Sequence, residues 1–273
     1  MNIENLINEY LGSSRYKKLS AASKMTYKGA ADKAISKIGK RSLAKINRPM
    51  LIGVFEEIAE KTPASANVFA SFMSVVFGYA LDKGYAESNP AARLKRRRLG
   101  EHKRWSVSDV KRVVSLNDRR VSTAVALAWY TAQREGDILA MKWSDYKDGV
   151  LSIDQQKTGL TMQIKVHPDL AIFLEKIRAD AKDTDFIVSG QKKLKSPAFR
   201  YIFKQRLMDA GVNKVFHGIR KGIACALSEN GHPLSDIAAF LGHKSTRMTE
   251  HYVKEVDNAK LIKRAVRGID GVV

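Results

Sequence analysis

Cysteine is almost missing from this chain: Cys225 stands alone among 273 residues. A single thiol cannot close an intrachain disulfide and leaves thiolate metal sites without ligands. Set among Ile223, Ala224, Ala226 and Leu227, it reads as a buried, inert thiol in a reducing compartment. Long apolar runs are missing too. No stretch approaches the roughly 18 residues that a membrane span needs, so no membrane partner is expected. The opening Met1-Asn2-Ile3-Glu4-Asn5 lacks the basic-then-apolar order of a secretory signal, and the cytoplasm is the expected location. No His, Cys, Asp or Glu cluster has metal-ligand spacing, so neither metal nor cofactor is expected. Acidic residues are scarce as well: 28 Asp and Glu face 48 Lys and Arg, a net charge of +20.

That excess is spread along the chain. Residues 1–104 hold 20 basic against 9 acidic residues, and the remainder 28 against 19. A balance this one-sided favours a polyanion as partner. Nucleic acid comes ahead of a lipid surface, because no strongly amphipathic basic anchor helix stands out.

The periodicity predicts a mainly α chain. Residues 1–92 read as a helical bundle, with Leu6, Tyr10 and Leu11 on one helix and Tyr27, Ala30, Ala31, Ala34 and Ile35 on another. Pro49 starts a third helix. Thr62-Pro63 starts a fourth, whose Phe69, Phe72, Met73, Val76, Phe77 and Ala80 form an apolar face. Residues 93–104 form a basic linker: Arg93, Lys95, Arg96, Arg97, Arg98, Lys103 and Arg104 face the single acid Glu101. So charged a run should be extended, a spacer between domains and a strap along a phosphate backbone at once.

The second domain, 105–273, opens on Ser106-Val107-Ser108-Asp109, the pattern of a capping box. Two helices follow, then Val150–Asp154 and Thr161–Val166, which alternate as antiparallel strands around a turn carrying Lys157. Helices from Pro168, through Leu170, Ile172, Phe173 and Ile177, and from Pro197 come next. The last stretch, from Phe216 to Val253, predicts three short helices. His217 and Arg220 lie three apart on the first, Gly242 stops the second ahead of His243, and Met248, Tyr252 and Val253 share a side of the third.

In chain order the candidate residues are Arg134, Lys157, His217, Arg220, His243 and Tyr252. Singly each has an ordinary explanation: Arg134 as a salt-bridge partner of Asp137, the histidines as helix-end residues, Tyr252 as a packed aromatic. Lys165 competes with Lys157, and Tyr146 or Tyr201 with Tyr252; His251 is expected to face away. Six together, with Leu241-Gly242-His243 nine residues ahead of Tyr252, resemble the tyrosine recombinases of the phage integrase family over nearly the whole chain.

The resemblance implies a helical core-binding domain (1–92), the basic linker (93–104) and a mostly helical catalytic domain (105–273) with a small antiparallel sheet. It implies site-specific recombination through a 3′-phosphotyrosyl intermediate, serving phage or prophage integration and excision. Tyr252 would be the nucleophile, His217 the proton acceptor and Lys157 the proton donor to the departing 5′-oxygen. Arg134 and Arg220 would clamp the phosphate, His243 would hydrogen-bond it, and Asp137 would support Arg134. Two guanidiniums suit a transition state that gathers negative charge on non-bridging oxygens. Double-stranded DNA is the expected partner, bound by a homotetramer on paired sites, with accessory DNA-bending proteins in some systems. A topoisomerase of type IB character and a DNA-binding regulator that keeps the fold without turnover are the alternatives.

Two local departures stand out: Ala132 after Thr131 where family members often carry glycine, and Lys221-Gly222 after Arg220. Nothing before Glu4 supplies an arm-binding domain, which fits a minimal recombinase or the trimmed part of a longer one. The last segment, Asn258 to Gly268, carries Leu261, Ile262 and Val266 on one face, suited to docking on a neighbouring protomer or on its own.

Overall fold

The computed structural model describes residues 1–180, 184–256 and 261, and the chain divides after Glu101 into two units. The first holds α1 (Ile3–Gly12), α2 (Ser14–Lys17), α3 (Ala21–Ile38), α4 (Arg48–Lys61) and α5 (Pro63–Asp82). Side-chain caps set the starts: Asn2 accepts the N–H of Asn5, Ser20 that of Ser23, and Asn47 that of Met50. Proline in the first turn of α4 and of α5 costs no hydrogen bond, since that N–H has no partner within the helix.

α5 is the spine of this unit. Its Phe69, Phe72, Met73, Val76 and Phe77 are fully buried, each stabilising by roughly 1.5–3 kcal/mol through area removed from water. Tyr10 from α1 meets Phe72 and Tyr79 edge to face. By length and a mean hydropathy of 1.5, α5 is also long and apolar enough to cross a membrane. This corrects the expectation from apolar runs, which Ser65, Asn67, Ser71 and Ser74 interrupt. Half of that window is buried inside the unit, as a core helix requires.

The basic stretch that closes the first unit has neither helix nor strand, yet it is anchored. Leu94 is buried. Arg97 pairs with Glu56, and its backbone N–H and carbonyl both bond the Asn67 side chain at 2.8 Å. Arg93, Lys95, Arg96 and Arg98 are exposed.

The second unit comprises α6 (Val107–Val114), α7 (Arg119–Thr131), α8 (Glu135–Ile138), β1 (Tyr146–Lys147), β2 (Val150–Asp154), β3 (Thr161–Lys165), α9 (Pro168–Ala179), α10 (Ser196–Asp209), α11 (His217–Glu229), α12 (Leu234–Leu241) and α13 (Thr246–Tyr252). The capping box is present, Ser106 and Asp109 satisfying each other's backbone N–H. The sheet runs β1-β2-β3, antiparallel throughout. Alternation finds only two of its strands, because β1 has two residues and shows no period. Leu151 and Ile153 of β2 join Val121, Val125 and Leu127 of α7, with Phe199, Phe203 and Phe216, in one core.

Two expectations shift. Ile172 and Met248, assigned to apolar faces, are 68% and 47% exposed. The proposed docking tail lies outside the described residues except for Leu261.

The N-terminal edge of this unit is threaded tightly over α11. Trp105 is buried, its indole N–H donates to the Val215 carbonyl at 3.0 Å, and its backbone N–H to that of Gly218 at 3.2 Å. A Cβ on Gly218 would come within 2.2 Å of the Lys103 carbonyl, and one on Gly222 within 2.4 Å of the Trp105 carbonyl. Gly222, a departure in the sequence, is thus required by its neighbour.

Candidate active site

The site is built on helix ends. Arg220, 2% exposed, donates through Nη1 to the Ala132 carbonyl and through Nη2 to the Leu241 carbonyl. These two acceptors lie at the C-terminal ends of α7 and α12. There the helix dipole concentrates negative charge, which favours a cation. Burial, followed by the neighbouring Arg134, lowers the Arg220 pKa to about 10, which leaves the guanidinium charged at neutral pH.

Ala132 ends α7 in the left-handed conformation (φ 53). For alanine this costs roughly 1–2 kcal/mol. Its buried methyl, packed with Ala224, Ile237 and Leu241, returns about 0.8 kcal/mol. The methyl thus offsets part of the strain at a position where glycine is common.

Tyr252, at the end of α13, places its hydroxyl 2.8 Å from His217 Nε2 at the start of α11. The rings meet edge to face at 5.7 Å, and the His243 ring lies 5.0 Å from that of Tyr252. His243 follows the left-handed cap Gly242, and its Nδ1 lies 3.0 Å from Oγ1 of the fully buried Thr249.

Burial lowers the His217 pKa to about 4, and the facing His102, Arg220, Arg134 and Lys157 push the same way. Part of the ring stays open to solvent, so the cationic surroundings matter alongside burial. His243 is also lowered to about 4, by burial first and then by Arg220, Arg134 and His217. Both rings are therefore neutral at physiological pH. A neutral imidazole accepts at one nitrogen, and the tautomer with Nε2 free accepts the tyrosyl O–H at this contact.

Arg134 caps α8 and its Nη1 donates to Gln155 Oε1 at 3.1 Å. Lys157 is exposed on the β2–β3 turn, close enough for its charge to act on His217. Lys165 pairs with Val150, at the other end of the hairpin. Asp137 is buried, and its backbone N–H donates to the Arg134 carbonyl at 3.0 Å. Its carboxylate Oδ1 accepts the backbone N–H of Gln156 at 2.9 Å, so the side chain also braces the lysine turn.

All six candidates thus face one another within the second unit. Among the described tyrosines only Tyr252 hydrogen-bonds one of these histidines; Tyr201 is 70% exposed and Tyr146 packs on the core. Of the basic stretch, Arg104 donates to Glu229 at 2.6 Å, while Lys103 makes no ion pair among the described residues. Cys225 is buried and donates to the Tyr252 carbonyl at 3.3 Å. No group of three His, Cys, Asp or Glu side chains suited to a metal occurs among the described residues.

Gln155, Thr249 and His102 escaped the sequence reading. Only Gln155 had a signal: Leu151, Ile153 and Gln155 share the inward register of an alternating strand, so a polar side chain is carried into the core.

Comparison with known proteins follows the same division. Residues 106–259 match the model described as the phage integrase family, and residues 4–97 that of the phage integrase central domain. The integrase of Enterobacteria phage 434 is 28% identical over 221 residues, covering 71% of this chain and 59% of that protein. The integrase of Escherichia phage lambda is 27% identical over 222 residues, with the same coverage. The chain therefore spans about three fifths of the length of these relatives. Among solved structures, a lambda integrase dimer bound to a COC′ core site superposes with a TM-score of 0.84 at 22% identity, covering 94% of this chain and 98% of that one. A lambda integrase tetramer bound to a Holliday junction gives 0.82 at 22% identity, covering 94% and 78%.

Proposed function

The chain belongs to the phage integrase family, and from that membership we propose that it is a site-specific DNA recombinase that breaks and rejoins strands through Tyr252. The observation that carries the reading is the 2.8 Å contact from the Tyr252 hydroxyl to a neutral His217, beside the buried Arg220 cation.

Tyr252 Oη attacks the scissile phosphorus while its proton passes to His217 Nε2. The bond from phosphorus to the 5′-oxygen breaks, and that oxygen takes a proton from Lys157 and leaves as a hydroxyl. One phosphodiester becomes a phosphotyrosyl ester on the 3′ side, and reversal with another 5′-hydroxyl rejoins the strand without nucleotide fuel. Arg134 and Arg220 hold the non-bridging oxygens. The loss of one such donor costs about 10²–10³ in rate. His243 adds a hydrogen bond to the same phosphate. The substrate is double-stranded DNA in the cytoplasm. A homotetramer on paired sites, helped in some settings by DNA-bending proteins, completes the exchange; the tetramer of a structural relative on a Holliday junction supports this assembly. The physiological role is phage or prophage integration and excision.

The test uses nicked duplexes of randomised sequence, from which covalently captured DNA is recovered and sequenced. The wild-type chain should form a detergent-resistant adduct with a selected sequence, and Tyr252→Phe should form none. An adduct in Tyr252→Phe removes the nucleophile assignment. No adduct with the wild type leaves a DNA-binding regulator, and site-independent relaxation of supercoils leaves a topoisomerase.

A further inference from the structure

Gln155 uses every hydrogen-bonding position of its side chain. It is 1% exposed at the end of β2. Its Oε1 accepts from Arg134 Nη1 at 3.1 Å and from Thr158 Oγ1 at 2.7 Å. Its Nε2 donates to Gln133 Oε1 at 2.7 Å and to the Leu241 carbonyl at 3.2 Å. A primary amide offers two acceptor positions and two donor hydrogens, and all four are taken. The orientation is unique. Rotating the amide by half a turn would set its N–H groups against the Arg134 donor and its oxygen against the Leu241 carbonyl. The backbone is engaged as well, its N–H donating to Leu160 at 2.9 Å and its carbonyl accepting from Gly159 at 2.8 Å.

The partners join parts of the site far apart in sequence. Arg134 begins α8, Thr158 adjoins Lys157 on the turn, and the Leu241 carbonyl also accepts from Arg220. Gly242 shows how closely the amide is seated. A Cβ there would lie 2.3 Å from Gln155 Nε2, and the residue has φ +63. The glycine of the Leu241-Gly242-His243 sequence thus makes room for this side chain as well as ending α12.

We propose that Gln155 is a positioning residue that holds Arg134 and the Lys157 turn in one fixed relation to the carbonyl floor beneath Arg220. The proposal rests on the strand-breaking function above. Through Arg134 it would set the phosphate clamp, and through Thr158 it would set where Lys157 delivers its proton.

Two substitutions separate these arms, Gln155→Met, which keeps length and loses every hydrogen bond, and Thr158→Val, which frees the turn alone. Each is assayed for binding and single-turnover cleavage on the duplex captured by the wild-type chain. Each is then assayed on the same duplex with sulfur replacing the 5′-bridging oxygen. A thiol, with a reference pKa of about 8.5, leaves without needing a proton, so that duplex bypasses Lys157.

Both variants should bind within about 2-fold of wild type and cleave the oxygen duplex more slowly, Gln155→Met by about 10–100-fold, the scale of a small misplacement. The sulfur duplex should restore Thr158→Val to the wild-type rate and Gln155→Met only in part, because Arg134 remains loose. A merely structural residue would not sort by leaving group. Cleavage of the oxygen duplex at the wild-type rate by either variant, or no recovery of Thr158→Val with sulfur, overturns the proposal. Thr158→Val carries the decision if Gln155→Met folds poorly. Tyr252→Phe run alongside separates the readings: silent Tyr252→Phe with fully active Gln155→Met removes the positioning role and leaves the function standing.

Discussion

Each histidine in the site is neutral because of what surrounds it, and that can be measured without DNA. With pKa values lowered to about 4, His217 and His243 bind fewer protons in the folded chain than in the unfolded one, where an ordinary imidazole titrates near 6.5. Folded stability is thus fully present above about pH 6.5 and is lost as pH falls through 4. Proton NMR of the six histidines should show two rings with midpoints near 4. His102→Ala, which removes an imidazole 5.7 Å from His217, should move the His217 midpoint upward. Two midpoints that stay near 6.5 would leave His217 partly charged at neutral pH and a poor acceptor for the tyrosyl proton. The candidate side chains that the structure brings together were legible in the sequence because each carries distinctive chemistry at a distinctive spacing. Their supports were not. The Arg220 bond to the Ala132 carbonyl joins residues 88 positions apart, and no local pattern encodes it. The carboxylate of Asp137 also holds the backbone of Gln156, 19 positions away, and no local pattern announced that bond.

Helices and strands were readable wherever a period had room to repeat. α5 shows several turns of apolar face and a proline start, whereas β1, with two residues, shows nothing. Glycines divide by what stands opposite them. Gly222 faces the Trp105 backbone at 2.4 Å, while Gly53 in α4 has nothing within 4 Å of an added Cβ. Gly222→Ala should therefore destabilise by about 1–3 kcal/mol through overpacking. Gly53→Ala should stabilise by up to about 1 kcal/mol through helix propensity. Urea unfolding of both variants reads the two signs directly. Equal effects would mean that the seat of Trp105 on α11 yields without cost.

For the molecule as a whole, charge is the property that composition announces and structure distributes. Of the seven basic residues from Arg93 to Arg104, Arg97 and Arg104 are committed to Glu56 and Glu229. Replacing Lys95, Arg96 and Arg98 with alanine should lower the slope of log affinity against log salt by about 0.9 for each phosphate that is no longer neutralised. Arg97→Ala should instead disturb the anchoring at Asn67. Salt titrations of duplex binding compare them, and an unchanged slope in the triple variant would reduce the stretch to a spacer. On the function proposed above, Arg220 imposes a different condition on any bound duplex. Pinned by two carbonyls and almost wholly enclosed, its guanidinium has no reach of its own. A strand must be lowered onto this immobile seat until one phosphorus sits at the right depth. The choice of which bond is opened then falls to whatever bends or slides the double helix, and a stiff sequence would be spared even where its bases fit.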